Sequence, residues 1–167
     1  MPSAPDDRTV AYVVAAQPVF EDLRLVAAQL AGLLVLAATG SKDSTPDHPM
    51  AAASATVLAQ AGDGVQRIGA LVSEPARPHY RGLVEANASL ARALASAGAW
   101  PIDVDAVLAP LRDAYGHLQR ASKALPGFAM VSFEQACCGV TGRSADPEAS
   151  SAPRAIAVGA EPPRVLP

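Results

Sequence analysis

The sequence has few aromatic side chains, few charged side chains and little cysteine. Aromatic residues make up 4% and charged residues 17% of the 167 residues, and the formal net charge is -3 at pH 7. The chain has no basic block and no interleaving of basic and aromatic residues, the pattern typical of nucleic-acid binders. This composition argues against nucleic acid as a partner. The two cysteines, Cys137 and Cys138, are adjacent and provide no disulfide framework, which predicts a reducing, cytoplasmic location.

The sequence also lacks a secretory signal and an apolar run long enough to cross a membrane. Its first ten residues carry two aspartates and no basic segment ahead of an apolar run. The uncharged stretch from Leu25 to Thr39 has about 15 residues, whereas a spanning helix needs about 20. We therefore expect a buried core helix here and no membrane span.

What the sequence has in abundance is alanine and regularly spaced aliphatic residues. Half of the residues are hydrophobic. The most apolar segment, from Val19 to Ala38, repeats its large side chains at steps of three and four, which predicts a helix. Other apolar side chains, including Leu25, Val35 and Leu36, lie off that stripe. A helix that is apolar nearly all round is stable in water only when other elements cover it.

The boundaries of this first helix follow from its flanking residues. Pro18 is tolerated at a first helical position, so we expect the helix to begin near it. The segment from Thr9 to Ala16 is ambiguous between a strand and an additional, kinked helical turn or two. Gly40 is expected to end the helix.

Three further segments show the same periodicity. The predicted helices run from about Met50 to Val72, from about Pro78 to Ala97 with Gly98 closing it, and from a cap at Asp103 to about Leu125. Pro110 is expected to kink or break the last of these. On the third helix, Asn87 falls near the seam, and we favour an orientation in which Ala86 faces the core instead.

These elements predict an all-α fold, an antiparallel up-down four-helix bundle over about residues 9–126. Residues 1–8 are expected to form a disordered lead-in. The apolar run from Phe128 to Phe133 is expected to fold back on the bundle as a short appendage, so that the folded unit spans 9–138. Residues 139–167 have the Ala-, Ser-, Pro- and Gly-rich composition of a flexible tail.

The adjacent cysteines are the only unusual local feature. Cys137 and Cys138 have the soft sulfur ligands that suit copper(I) or zinc, and His117 and Glu134 are further candidate ligands if the appendage folds over the fourth helix. The alternative is that the two cysteines are small residues at the edge of the fold, without a function.

The remaining histidines give weaker signals. His48 and His79 are expected to be solvated, and His117 to lie at the boundary of the core. His79-Tyr80-Arg81-Gly82 resembles the phosphorylated motif of histidine phosphotransfer domains, from which it departs by a shorter spacing and by arginine in place of lysine. The resemblance covers four residues and implies a phosphorylatable His79.

No catalytic signature is present, so the favoured hypothesis is a non-enzymatic interaction or regulatory module that self-associates or binds a protein partner. Leu25, Val35 and Leu36 are the candidate interface residues, because four helices need not cover all of the first one. One alternative is a small protein that handles thiols or soft metals through the cysteine pair. Another is a carrier of apolar ligands, with a cavity opened by Pro110 and the glycines of the second helix.

Overall fold

The computed structural model describes residues 6–40, 49–98 and 101–137, and these residues are almost entirely helical. The long helices are α1 (Asp7–Ala38), α2 (Pro49–Ile68), α3 (Arg77–Ala97) and α4 (Val104–Ala124). A short 3-10 helix, Gly69–Leu71, extends α2, and a one-turn helix, α5 (Phe133–Ala136), follows α4. The described part of the chain contains no β-strand. The predicted all-α fold is therefore confirmed.

The helices pack as an antiparallel bundle. Gly64 of α2 lies against Val19 of α1, and ten residues earlier Ser54 donates a hydrogen bond to Gln29, at 2.9 Å. The contacts therefore run to lower residue numbers in α2 as they run to higher numbers in α1, so the two helices are antiparallel. The same holds for α3 and α4, because Gly82 lies against Ala121 and Glu85 pairs with His117.

The prediction that α1 begins near Pro18 is wrong. The helix begins at Asp7 and continues through Pro18. Pro18 removes one helical hydrogen bond, to the carbonyl of Val14. Val14 is 69% exposed, so this turn of α1 lies on the solvent side, where a carbonyl without a helical partner costs least. Residues 7 and 8 of the expected disordered lead-in are helical, and residues 1–5 lie outside the described part of the chain.

The N-terminal part of α1 is held in place by tertiary contacts. Tyr12 and Ala16 are fully buried, and the hydroxyl of Thr9 lies 2.7 Å from that of Ser73. Packing therefore decides the conformation of a segment whose local sequence suits a strand as well as a helix.

Local signals at the other helix ends are confirmed. The carboxylate of Asp103 accepts a hydrogen bond from the backbone N–H of Ala106, at 3.2 Å, and so caps α4. Gly40, just after α1, and Gly127, after α4, have φ angles of 69° and 93°, which favour glycine. Pro110 lies inside α4, which continues through it as one helix, so the predicted break does not occur.

The core is a layer of leucine, valine and alanine side chains with a small aromatic cluster at one end. Phe20, His79 and Phe128 meet there, with ring centroids 4.2 Å apart for His79 and Phe128. The burial of Phe128 and Phe133 confirms that the appendage folds back on the bundle. Ala86 is fully buried and Asn87 is half-buried, as the seam drift predicts.

Candidate interaction surface

The side of α1 that points away from the core is largely apolar and exposed. Val10, Val14 and Leu25 are 44%, 69% and 47% exposed, and Pro18 and Ala28 are also exposed. At 100° per residue these five positions fall within an arc of about 80°. We refer to them together as the outer face of α1. Two charged residues, Asp7 and Glu21, fall within the same arc, and Arg24 lies about 40° outside it. No charge follows Arg24 in the helix.

The other helices do not expose a comparable stripe. The exposed residues of α3 include Arg81, Glu85 and Arg92, and Val84 is its one large exposed hydrophobic residue among those described. The exposed positions of α4 include Arg112 and Asp113. A helix of a soluble bundle normally places charges on its solvent side, as α3 and α4 do. The exposed positions of α2 from Ala52 to Gln60 are also uncharged, but they are alanine, threonine and glutamine. The outer face of α1 differs in exposing several large apolar side chains.

Two grooves border the outer face of α1. The groove toward α4 has a volume of about 400 Å³ and is lined by Glu21, Asp22, Arg24, Leu25, Ala28, Tyr115, Met130 and Val131. The groove toward α2 has a volume of about 390 Å³ and is lined in part by Ala15, Pro18, Gln60, Arg67 and Leu71. Val131 and Leu71 are themselves 52% and 36% exposed. The apolar area therefore continues beyond α1 on both sides.

The predicted interface residues are only partly accessible. Leu25 is exposed on the outer face, whereas Val35 and Leu36 are half-buried near the C-terminal end of α1. The sequence reading missed Val10 and Val14, because it began the helix near Pro18. Their spacing could have revealed this face: Val10, Val14 and Pro18 are four residues apart, and Leu25 follows seven residues later on the same side of a helix.

The candidate metal ligands are not brought together among the residues described. The aromatic ring of Tyr115 packs against Phe133 of α5, with centroids 5.7 Å apart, and Cys137 is fully buried on the same side of α4. His117 lies two residues beyond Tyr115, about 200° further around the helix. No group of three His, Cys, Asp or Glu side chains in the described chain is placed to hold a metal ion. Cys138 lies outside the described residues.

The burial of Cys137 bears on its chemistry. A reactive cysteine is partly exposed in surroundings that stabilise the thiolate, whereas an inert structural cysteine is buried. Tyr115 lies nearby, and burial, with a smaller contribution from the negative charge that Cys137 can carry, raises the pKa of the Tyr115 hydroxyl to about 12. The full burial of Cys137 is that of a structural cysteine.

His117 instead joins a charged cluster between α3 and α4. Its Nδ1 lies 2.8 Å from Oε2 of Glu85 and 2.6 Å from Nη2 of Arg120. Nδ1 can donate to the carboxylate only when it carries a proton and accept from the guanidinium only when it does not. The two contacts are therefore alternatives. His117 is 19% exposed, as expected for the boundary of the core.

The expectation that His79 is solvated is wrong. His79 is fully buried, and its Nδ1 lies 2.8 Å from the hydroxyl of Tyr12. Its Nε2 has no hydrogen-bond partner within the described structure, and burial lowers the pKa of the imidazole to about 4. A buried imidazole is inaccessible to a phosphate donor, so the resemblance to histidine phosphotransfer domains does not extend to the site. His48 lies outside the described residues.

Neither the shape of the grooves nor comparisons with known proteins indicate which class of ligand the protein binds. The two grooves beside α1 and a third, of about 390 Å³ between α3 and α4, are open to solvent, and none is lined by Pro110. No protein-family model, curated protein or solved structure matches the chain. No helix in the described ranges is long and apolar enough to cross a membrane.

Proposed function

We propose that this protein is a non-enzymatic interaction module that self-associates through the outer face of α1. The observation that carries the proposal is the exposure of three large apolar side chains, Val10, Val14 and Leu25, on one side of α1. Exposed apolar patches of this kind, bordered by polar residues, mark protein interaction sites.

The free energy of burying one exposed side chain is smaller than the cost of association, so several residues of the face must be buried together. Full burial of a valine or leucine side chain contributes about 1.5–3 kcal/mol, so covering the exposed part of Val14 or Leu25 contributes about 1–2 kcal/mol. Association costs at least about 4 kcal/mol in lost translational and rotational freedom. One residue cannot offset that cost, whereas the whole face together with Val131 and Leu71 can.

Sedimentation velocity of the full chain over a wide concentration range tests the proposal. We expect the sedimentation coefficient to rise with concentration for the natural sequence and to stay at the monomer value for Val14→Asp. Val84→Asp is the control, because Val84 is also an exposed valine, at 40%, but lies on α3. A strict monomer at every concentration would refute the proposal, and so would an equal effect of the two substitutions.

A further inference from the structure

We infer that the groove between α3 and α4 binds the phosphate group of a small phosphate monoester between the guanidinium groups of Arg81 and Arg120. We refer to it as the arginine groove. Its volume is about 390 Å³, and it is lined in part by Glu74, Arg77, Arg81, Gly82, Glu85 and Arg120. None of these residues lies on the outer face of α1, so the inference is independent of the proposed self-association.

The close contact between α3 and α4 brings the two arginines to one groove. Gly82 and Ala121 face each other across this contact, since a Cβ atom on Gly82 would lie 2.9 Å from that of Ala121. Arg81 and Arg120 each directly precede one of these two residues. Because the helices are antiparallel, the residues just before two facing residues lie on the same side of the contact. A ligand in the groove can therefore reach an arginine on each helix.

The lining of the arginine groove carries more basic than acidic residues. Three arginines and two glutamates line it. The groove toward α4 is instead lined by two acidic residues and one arginine, and the groove toward α2 by one of each. The whole chain has a net charge of -3, so this basic excess is a local feature. A groove lined by an excess of one charge attracts ligands of the opposite charge.

Arg81 and Arg120 have no carboxylate partner among the residues that the structure describes. Glu85 lies four residues after Arg81, a spacing that allows pairing along a helix, but its carboxylate contacts His117 instead. The hydrogen bond of Arg120 goes to Nδ1 of His117, and it is lost whenever that nitrogen donates to Glu85. Most of the N–H donors of the two guanidinium groups are therefore available to a ligand.

Two guanidinium groups at one groove suit a phosphate better than a carboxylate. Each planar guanidinium can donate two parallel hydrogen bonds to neighbouring oxygens of a phosphate. A phosphate monoester has three terminal oxygens and a charge of about -1.5 to -2 at pH 7. It can therefore bind both arginines at once, whereas a carboxylate has two oxygens and needs only one guanidinium.

The two glutamates restrict the ligand to a single phosphate group. Glu74 and Glu85 border the same groove, and their carboxylates would repel a second phosphate or the backbone of a nucleic acid. They can accept hydrogen bonds, so hydroxyl groups on the rest of the ligand would be favourable. The volume lies near the lower end of the range for small-molecule sites. A phosphorylated sugar or polyol has this chemistry.

NMR titration of the isotope-labelled full chain, at constant pH and ionic strength, tests the inference with sodium phosphate and with glycerol phosphate. We expect the backbone amide signals of Arg81, Gly82 and Arg120 to shift and to saturate. The dissociation constant should be about 1 mM for inorganic phosphate and about tenfold lower for glycerol phosphate, whose hydroxyl groups can bind the glutamates.

Substitutions on the two sides of the charge balance should have opposite effects. Arg81→Gln and Arg120→Gln should each raise the dissociation constant of inorganic phosphate about tenfold, because each removes a charged, two-bond contact. Glu74→Gln should lower it about threefold, because Glu74 pairs with Arg77 at 2.8 Å and its loss frees that arginine.

Arg67→Gln is the matched control, because Arg67 is an exposed arginine that lines the groove of about 390 Å³ toward α2. It should leave both dissociation constants unchanged. If the shifts do not saturate with either ligand, or if Arg67→Gln weakens binding as much as Arg81→Gln, the phosphate site is wrong. If the two ligands bind equally well, the groove recognises free phosphate, and the assignment of an ester is wrong.

Discussion

Replacing Gly82 with alanine would test the closest approach between α3 and α4. A Cβ atom on Gly82 would lie 2.9 Å from the Cβ of Ala121 and 3.0 Å from the carbonyl oxygen of His117. Carbon atoms do not pack at 2.9 Å, and the oxygen belongs to the backbone of α4. Neither neighbour can rotate away, so the two helices must separate locally to admit the methyl group.

The expected cost follows from two opposing effects. Overpacking of a close contact costs about 1–3 kcal/mol. Alanine in place of glycine inside a helix recovers about 1 kcal/mol through its better helix propensity. The net effect of Gly82→Ala is therefore a loss of about 1 kcal/mol.

Gly116→Ala separates these two effects. Gly116 also lies inside a helix, α4, but no heavy atom lies within 4 Å of the Cβ that alanine would add. This variant should gain about 0.5–1 kcal/mol from helix propensity alone. The difference between the two variants, about 1–3 kcal/mol, then measures the contact between α3 and α4.

Urea unfolding followed by circular dichroism would supply both free energies. We expect the urea concentration at the midpoint of unfolding to fall for Gly82→Ala and to rise for Gly116→Ala. The slope of the unfolding free energy against urea concentration should be the same in both variants. If Gly82→Ala proved as stabilising as Gly116→Ala, the helices would be further apart than described, and the geometric reasoning would be refuted.

Three further predictions concern titration and capping. Burial lowers the pKa of His79 from 6.5 to about 4, so on acidification His79 takes up a proton in the unfolded chain before it does so in the folded one. The free energy of unfolding, measured against pH, should therefore fall by about 3 kcal/mol between pH 6.5 and 4. A His79→Leu variant that showed the same fall would contradict this assignment. Spectrophotometric titration of the folded protein should show Tyr115 ionising near pH 12, and ionisation near pH 10 would mean that it is exposed. Asp103→Ala should lower stability by about 1 kcal/mol in urea unfolding, whereas Asp113→Ala, at an exposed position inside α4, should have little effect.

Much of the fold follows from local sequence. The stripes of α3 and α4, the cap at Asp103 and the glycine after α1 each depend on residues within a turn or two of one another, so periodicity and capping rules locate them. The orientation of Ala86 toward the core follows from the same periodicity. Short connections then leave an antiparallel bundle as the natural arrangement.

The candidate surface was harder to predict. Leu25 was identified from its position off the buried stripe, but Val10 and Val14 required knowing that α1 continues through Pro18. Proline makes that continuation locally unfavourable, and only the burial of Tyr12 and Ala16 against other helices outweighs it. Which side of α1 stays uncovered depends on where the other helices pack.

The sequence by itself determined the number of long helices, most of their ends and the residues that face the core, because these depend on interactions between near neighbours. Only the tertiary structure decided that His79 is buried beside Tyr12, that Cys137 and His117 lie on different sides of α4, and that the outer face of α1 remains exposed. Each of these facts depends on contacts between residues far apart in the chain, and the pattern of one helix does not specify which neighbour will cover it.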